Sequence, residues 1–391
     1  MKHNWVLATI TALLMGLFTL SCEQEATAPL DNIGGATTGP AATLGSTPVL
    51  VVPGSVKVFA SGFCCPSGLT FGPDGYLYVA EAGRGGTSLI GPDVGAVKPP
   101  TGPYTGGMTA RISRVSPDGV RTTVIEGLPS CQSSYQSGCR SRGVADVEFM
   151  GNTLYALLSG AGTSHGYASI PNGIIRVDGY SKWAVIANLS QFQRANPIVE
   201  PDNSDFEPDG IWHSMANVDG KFYALEPNHG ELDEIDPVTR QISRVVDISA
   251  SQGHIDPSAV VYRAGYFYVG TLTSPPMADG RASIYRISRS GEVTAWATGF
   301  TDINSMAFDK RGRLYVLEGR KCGVASNPGT GGDIVRVNLG GWREMVATGL
   351  TMPTALTFAP DGTLYVANKG HGQGMAGCGE ILRITEGPDN W

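Results

Sequence analysis

The sequence predicts an all-β protein: a six-bladed β-propeller with four-stranded blades, the last blade closed by the N-terminal strand. Three observations carry that expectation. One phrase, "FGPDGYLYVAEAG" at 71–83, has five relatives further along the chain. Each copy is followed by two more strand-like segments. The final copy lacks the second of these, and the missing words stand ahead of the first copy. Repeats of about 45 residues, each with four short strands, are the signature of propeller blades.

From the start of the chain, Lys2 and His3 precede an apolar stretch, Trp5–Leu20. It falls short of the ~20 apolar residues of a spanning helix and suits a signal sequence. Cys22 after Ser21 is similar to a lipoprotein cleavage site. The expectation is a lipoprotein-type signal peptide over 1–22, with lipidation at Cys22. Plain secretion, cleaved near Ala26–Ala28, is the alternative, and Pro29 speaks against it. Residues 23–48 have few large apolar side chains and read as a disordered tether. The propeller is expected over 49–391. The protein would be exported and monomeric, periplasmic or at the cell surface, touching a membrane only through its lipid anchor.

The six phrases align on Tyr78, Tyr155, Tyr223, Tyr268, Tyr315 and Tyr365. In each, apolar alternation runs into a turn, such as Pro73-Asp74-Gly75, and out through a Leu-Tyr-Val type strand. Third strands follow at 110–116, 173–179, 231–237, 283–288, 333–338 and 380–385. Fourth strands end in similar words, "VIEGL", "AWATGF" and "MVATGL", and "VFASGF" at 58–63 belongs with them. That segment should complete blade six and remove the open sheet edges.

Long connections gather on one face, here called the top: 82–109, 129–143 and 190–209. Long loops on a rigid scaffold usually carry function. The histidines of the mature domain fall there too: His165, His213, His229, His254 and His371. So do six cysteines. In an exported chain these read as disulfides. Cys131 and Cys139 close a short loop. One of Cys64 and Cys65 should reach Cys378, because the first and last blades adjoin, and Cys322 would take the remaining partner.

The second strand of each blade should reach the top at Glu81, Leu158, Glu226, Thr271, Glu318 and Asn368. Glu81, Glu226, Glu318 and Asn368, with Arg84, Asp146, Asp209, His213, Asn304 and Arg320, form the expected ligand site at the channel mouth. Glu81, Glu226, Glu318 and Asn368 could hold Ca²⁺, which takes six to eight oxygen ligands; a solvated rim of ion pairs explains the same residues with no metal. His229, His254 and His371 are candidate general bases. No nucleophile elbow, P-loop or dinucleotide fingerprint is present. The net charge of −7 and the lack of a basic run exclude nucleic acid as a partner.

"ASGFCCPSGLTFGPDGYLYVAEAGRGG", "DGKFYALEPNHGELDEIDPVTRQISRVVDI" and "SAVVYRAGYFYVGTLTSPP" resemble the ScyD/ScyE family of exported β-propellers, over about residues 55–386. The resemblance implies a role in the late assembly of a periplasmic pigment; "CC" at 64–65 and the lipoprotein-like start depart from the family. Gluconolactonase-type propellers share the shorter "PDGxLYV" phrase. Two functions are therefore expected. One is a module binding a small molecule, glycan or protein on its top face. The other is a Ca²⁺-dependent enzyme, hydrolase- or lactonase-like or oxidising a phenolic precursor.

Overall fold

A computed structural model describes residues 49–50, 55–99, 102–133, 141–199, 207–273, 279–319, 330–338, 342–370 and 376–385, excluding the side chains of 49, 50, 330 and 376–378. Cys22, Cys139, Arg320, Cys322 and His371 lie outside the described residues, as do the predicted signal peptide and tether.

Six antiparallel sheets follow one another along the chain, as expected. Their innermost strands are Pro66–Phe71, Val144–Met150, Ser214–Val218, Pro257–Arg263, Ile303–Phe308 and Ala355–Phe358. Each packs against its counterparts in the neighbouring blades, and the ring closes where Ala355–Phe358 meets Pro66–Phe71. Blade six consists of Ala355–Phe358, Leu364–Asn368, Ala376–Ile384 and the N-terminal Val56–Cys64. That last strand runs antiparallel to Ala376–Ile384, with Val58 opposite Leu382 and Ser61 opposite Glu380. Two additions were not foreseen. Val49–Leu50 runs parallel to the outer strand of blade five. In blade one, Tyr104–Val115 and Arg121–Ser133 continue past the sheet as a ribbon, joined by Ser141–Arg142. Much of the predicted top loop at 104–109 and 129–133 is thus paired strand.

The repeated tyrosine has a packing role. Tyr78, Tyr155, Tyr223, Tyr268, Tyr315 and Tyr365 meet Phe149, Phe222, Phe267, Phe308, Phe358 and Phe71 of the following blade. Ring centroids lie 4.5 Å apart at Tyr223–Phe267 and 5.4 Å apart at Tyr365–Phe71. Each such pair contributes about 0.5–1.5 kcal/mol beyond its buried area. One ring of aromatics therefore joins all six blades.

The repeated glycine of the fourth strands is a backbone requirement. Gly62, Gly127, Gly299 and Gly349 have φ of 82°, 70°, 82° and 76°. They sit where the outer strands shift register, an extra residue that bends the strand toward the next corner.

Candidate functional site

The innermost strands begin at the top, around the axis. A small cleft of about 80 Å³ opens there. Blades one, four, five and six contribute Ser67, Ser258, Asn304 and Thr354 to its wall. These side chains bond from blade to blade. Ser67 donates to the Val144 carbonyl at 2.6 Å, Ser258 to the Ile303 carbonyl, Asn304 to the Pro353 carbonyl at 2.7 Å and Thr354 to the Pro66 carbonyl at 2.6 Å. Asp146 accepts from the backbone N–H of Met215 in the next blade at 2.9 Å, and burial raises its carboxyl to about 7. The rim is thus a circumferential latch, made of short polar side chains that reach neighbouring backbone.

The added short strand of blade one, with blades two and three, breaks the pattern and supplies charge. Arg142, Ser159, Trp212 and His213 complete the wall. Arg142 Nη1 donates to His213 Nε2 at 2.8 Å. A guanidinium only donates, so the Nε2 lone pair of His213 is occupied and its proton sits on Nδ1. This arrangement works against His213 as a base through Nε2. Arg142 Nε and Ser159 Oγ are buried and have no hydrogen-bond partner. Ser159 is only 2% exposed.

Behind Arg142 lies a buried network under the cap ribbon. Tyr104 Oη donates to Glu207 Oε1 at 2.9 Å, and His165 Nε2 meets Glu207 Oε2 at 3.1 Å. His165 Nδ1 donates to the Ala161 carbonyl at 2.5 Å. A carbonyl can only accept, so one further proton lies between His165 Nε2 and Glu207. Tyr104 and His165 pack edge to face at 4.7 Å. Burial, with the Glu207 charge adding to it, holds the Tyr104 hydroxyl protonated well above its ordinary range. Burial likewise pushes the Cys131 thiol up. The cap itself is pinned by Tyr167, whose hydroxyl accepts from Gly107 N at 3.0 Å and Ser130 N at 2.9 Å. Asp209 is anchored nearby. Burial opposes its charge, but Ser164, through N–H at 2.7 Å and Oγ at 2.6 Å, and Arg194 at 3.0 Å keep its carboxyl below the ordinary range.

The second-strand residues do not converge on the channel. Glu81 accepts from Cys64 N, Glu226 from Ile211 N and Glu318 from Thr301 N, each at 2.6 Å, and Asn368 accepts from Thr351 N at 2.9 Å. Each thereby ties the corner that enters its own blade. The third strand selects the residue type. Glu81 faces Arg111, and the two form an ion pair at 2.8 Å. Asn368 faces Glu380 and donates to it at 2.8 Å. Each of Glu81, Glu226, Glu318 and Asn368 thus commits a side-chain oxygen to the backbone of its own corner. Among the described residues no group of three or more His, Cys, Asp or Glu is placed to hold a metal ion.

Blade three carries an acidic core instead. Glu226 faces Glu231 across the strands, and Asp233 lies two residues on. All three are fully buried. Arg244 donates to Glu231 at 2.5 Å. Burial raises Glu226 to about 8 and Glu231 to about 7. His229 accepts a very short contact from Gln193, and burial lowers its pKa. His254 stands 3.4 Å from Asp256 at a half-exposed corner. The candidate bases that are described therefore sit apart from the cleft. Arg84 is exposed beside Cys64. Cys64, Cys65 and Cys131 form no disulfide among the described residues; their expected partners, Cys139, Cys322 and the side chain of Cys378, lie outside them. Cys131, on the ribbon itself, is fully buried beside Val97 and Tyr104.

Of the expected mouth residues, His213 and Asn304 line the cleft. Arg142, Ser159 and the Tyr104–Glu207–His165 network were missed. The signal for the rim was present, since Ser67, Ala145, His213, Ser258, Asn304 and Thr354 stand ten or eleven residues before the aligned tyrosines.

No protein-family model and no curated protein matches the chain. Solved structures do. A Bacteroides thetaiotaomicron protein of unknown function aligns at 14% identity over 84% of this chain and 75% of its own, with a TM-score of 0.52. A Xanthomonas campestris gluconolactonase aligns at 10% identity over 89% and 98%, with a TM-score of 0.51. A luciferin-regenerating enzyme aligns at 10% identity over 86% and 96%, also at 0.51. At these identities the likeness is one of fold alone.

Proposed function

We propose that the protein is an exported ligand-binding propeller whose channel mouth, on the loop-rich top face, takes a small molecule bearing a carboxylate or a similar oxygen anion. One observation carries this reading: Arg142 Nε and Ser159 Oγ, both buried and unpartnered, line the same cleft. An unpartnered buried polar group costs about 1–3 kcal/mol, which a ligand oxygen would offset. Arg142 supplies charge and Ser159 a second donor. The cleft admits a small group, so the rest of a larger ligand would lie against the cap ribbon. The lipoprotein-like start ending at Cys22 and the ScyD/ScyE-like phrases support the exported part of this reading.

Thermal unfolding with a panel of aliphatic and aromatic carboxylates tests it. At one hundred times Kd a ligand adds about 2.7 kcal/mol to the wild type. Arg142→Gln and Ser159→Ala should each reduce that gain, Ser159→Ala without leaving a buried charge unpaired. Equal shifts in all three proteins, or none in the wild type, would overturn the proposal. Turnover of a lactone or phenolic panel by the wild type, lost in Arg142→Gln, would establish the enzyme instead.

A further inference from the structure

Three corners of the ring carry the same turn. Gly62, Gly299 and Gly349 are followed two residues later by Cys64, Thr301 and Thr351. Each of these gives its backbone N–H to the residue that ends a second strand, Glu81, Glu318 or Asn368. The next residue is left-handed: φ is 56° at Cys65, 44° at Asp302 and 44° at Met352. The turn therefore needs a backbone donor and a left-handed residue. Thr-Asp and Thr-Met satisfy it elsewhere, so the turn itself does not require sulfur at 64–65.

The surroundings of those sulfurs are distinctive. The Cys64 thiol contacts the Cys65 thiol and the Arg84 guanidinium. Ser141 Oγ lies 3.4 Å from Cys65 Sγ. Gly83 N donates to the Cys64 carbonyl at 3.2 Å and Ala82 N to the Cys65 carbonyl at 2.9 Å, so the backbone on both sides is tied down. Cys64 is 6% exposed and Cys65 1%, so a reagent meets Cys64 first. Three charges face the pair: Arg84 from the loop, Glu81 from the second strand and Arg111 from the third. The Cys65 hydrogen bond and Arg84 draw the Cys64 thiol down to about 6, against burial and Glu81. A thiolate so placed is nucleophilic at neutral pH.

We propose that Cys64 and Cys65 are a redox pair that a low-molecular-weight disulfide of the glutathione class oxidises to a vicinal disulfide. The Cys64 thiolate attacks one sulfur of the oxidant, forming a mixed disulfide and releasing one thiolate. Cys65 then loses its proton and attacks Cys64 Sγ, releasing the second thiolate. In sum, two protein thiols and one disulfide give one protein disulfide and two small thiols. Adjacent Cα atoms lie ~3.8 Å apart, below the usual disulfide span of about 4.4–6.8 Å. The ring is therefore strained and readily reduced, as suits a reversible pair rather than a structural staple.

Cys378 is the competitor. Its strand pairs with that of Cys64, through Cys64–Ala376 and Phe63–Gly379. The test is to incubate the full-length protein with oxidised glutathione at pH 7, alkylate the remaining thiols and map peptides by mass. A peptide holding Cys64 and Cys65, both unalkylated and two hydrogens lighter, is expected. Cys65→Ser should stop at a glutathione adduct on Cys64, and Arg84→Ala should slow the first step about tenfold. A cross-link from either cysteine to Cys378, or full alkylation of both after oxidation, would overturn the proposal.

Discussion

Asp233→Asn should make the protein less sensitive to rising pH. Asp233 is fully buried on the third strand of blade three, opposite Arg244. Neither carboxyl oxygen has a hydrogen-bond partner, and Arg244 is engaged by Glu231. Burial, with Glu231 and Glu226 adding to it, lifts the Asp233 carboxyl well above the ordinary range. The folded state therefore keeps a proton that the unfolded chain releases near pH 4. Stability contributed in this way is present in acid. It falls as pH rises above ~4, and stops falling only where the folded carboxyl ionises. Each retained proton costs about 1.4 kcal/mol per pH unit, hence up to about 4 kcal/mol between pH 5 and pH 8. Asparagine has the same shape and no proton to retain. Urea unfolding of both proteins at pH 5, 6, 7 and 8 reads the effect directly. The variant should gain on the wild type by up to about 1.4 kcal/mol per unit. A separation that stays constant with pH would refute the buried, protonated state.

Two other substitutions probe the repeated corner. Asn368→Asp sets a carboxylate against Glu380 while keeping the acceptor for Thr351 N. A loss of about 1–2 kcal/mol at pH 7 is expected, recovered below pH 4 where the unfolded carboxyls also protonate, and cancelled in the double variant with Glu380→Gln. Gly349 has φ of 76° and open space around the position of a Cβ, so Gly349→Ala tests backbone conformation alone. It should cost about 1–2 kcal/mol by urea unfolding; no loss would mean that the bulge tolerates a side chain.

The propeller was legible in the sequence because its determinants are local and repeated. Turn residues, Leu-Tyr-Val strands and the bulge glycine recur in phase, and the displaced fourth strand shows where the ring closes. The six tyrosines could be aligned from sequence, and tertiary structure gave their reason, since each meets a phenylalanine one blade on. The site was only partly legible. Glu81, Glu226, Glu318 and Asn368 were correctly placed at the strand ends, but alignment cannot tell which way a strand end faces. Their oxygens turn to the corners, and the choice of Glu or Asn follows from a partner on the third strand, Arg111 or Glu380. Arg142 carries no repeat signature, because it sits on a short strand joined to the cap ribbon of blade one. Tyr104, His165 and Glu207 come from three separate connections. Local sequence thus determined the blades, through hydrogen bonding and packing that each unit repeats. What meets at the channel mouth was decided only by closing the ring, which brings residues far apart in the chain within reach of one another's polar atoms.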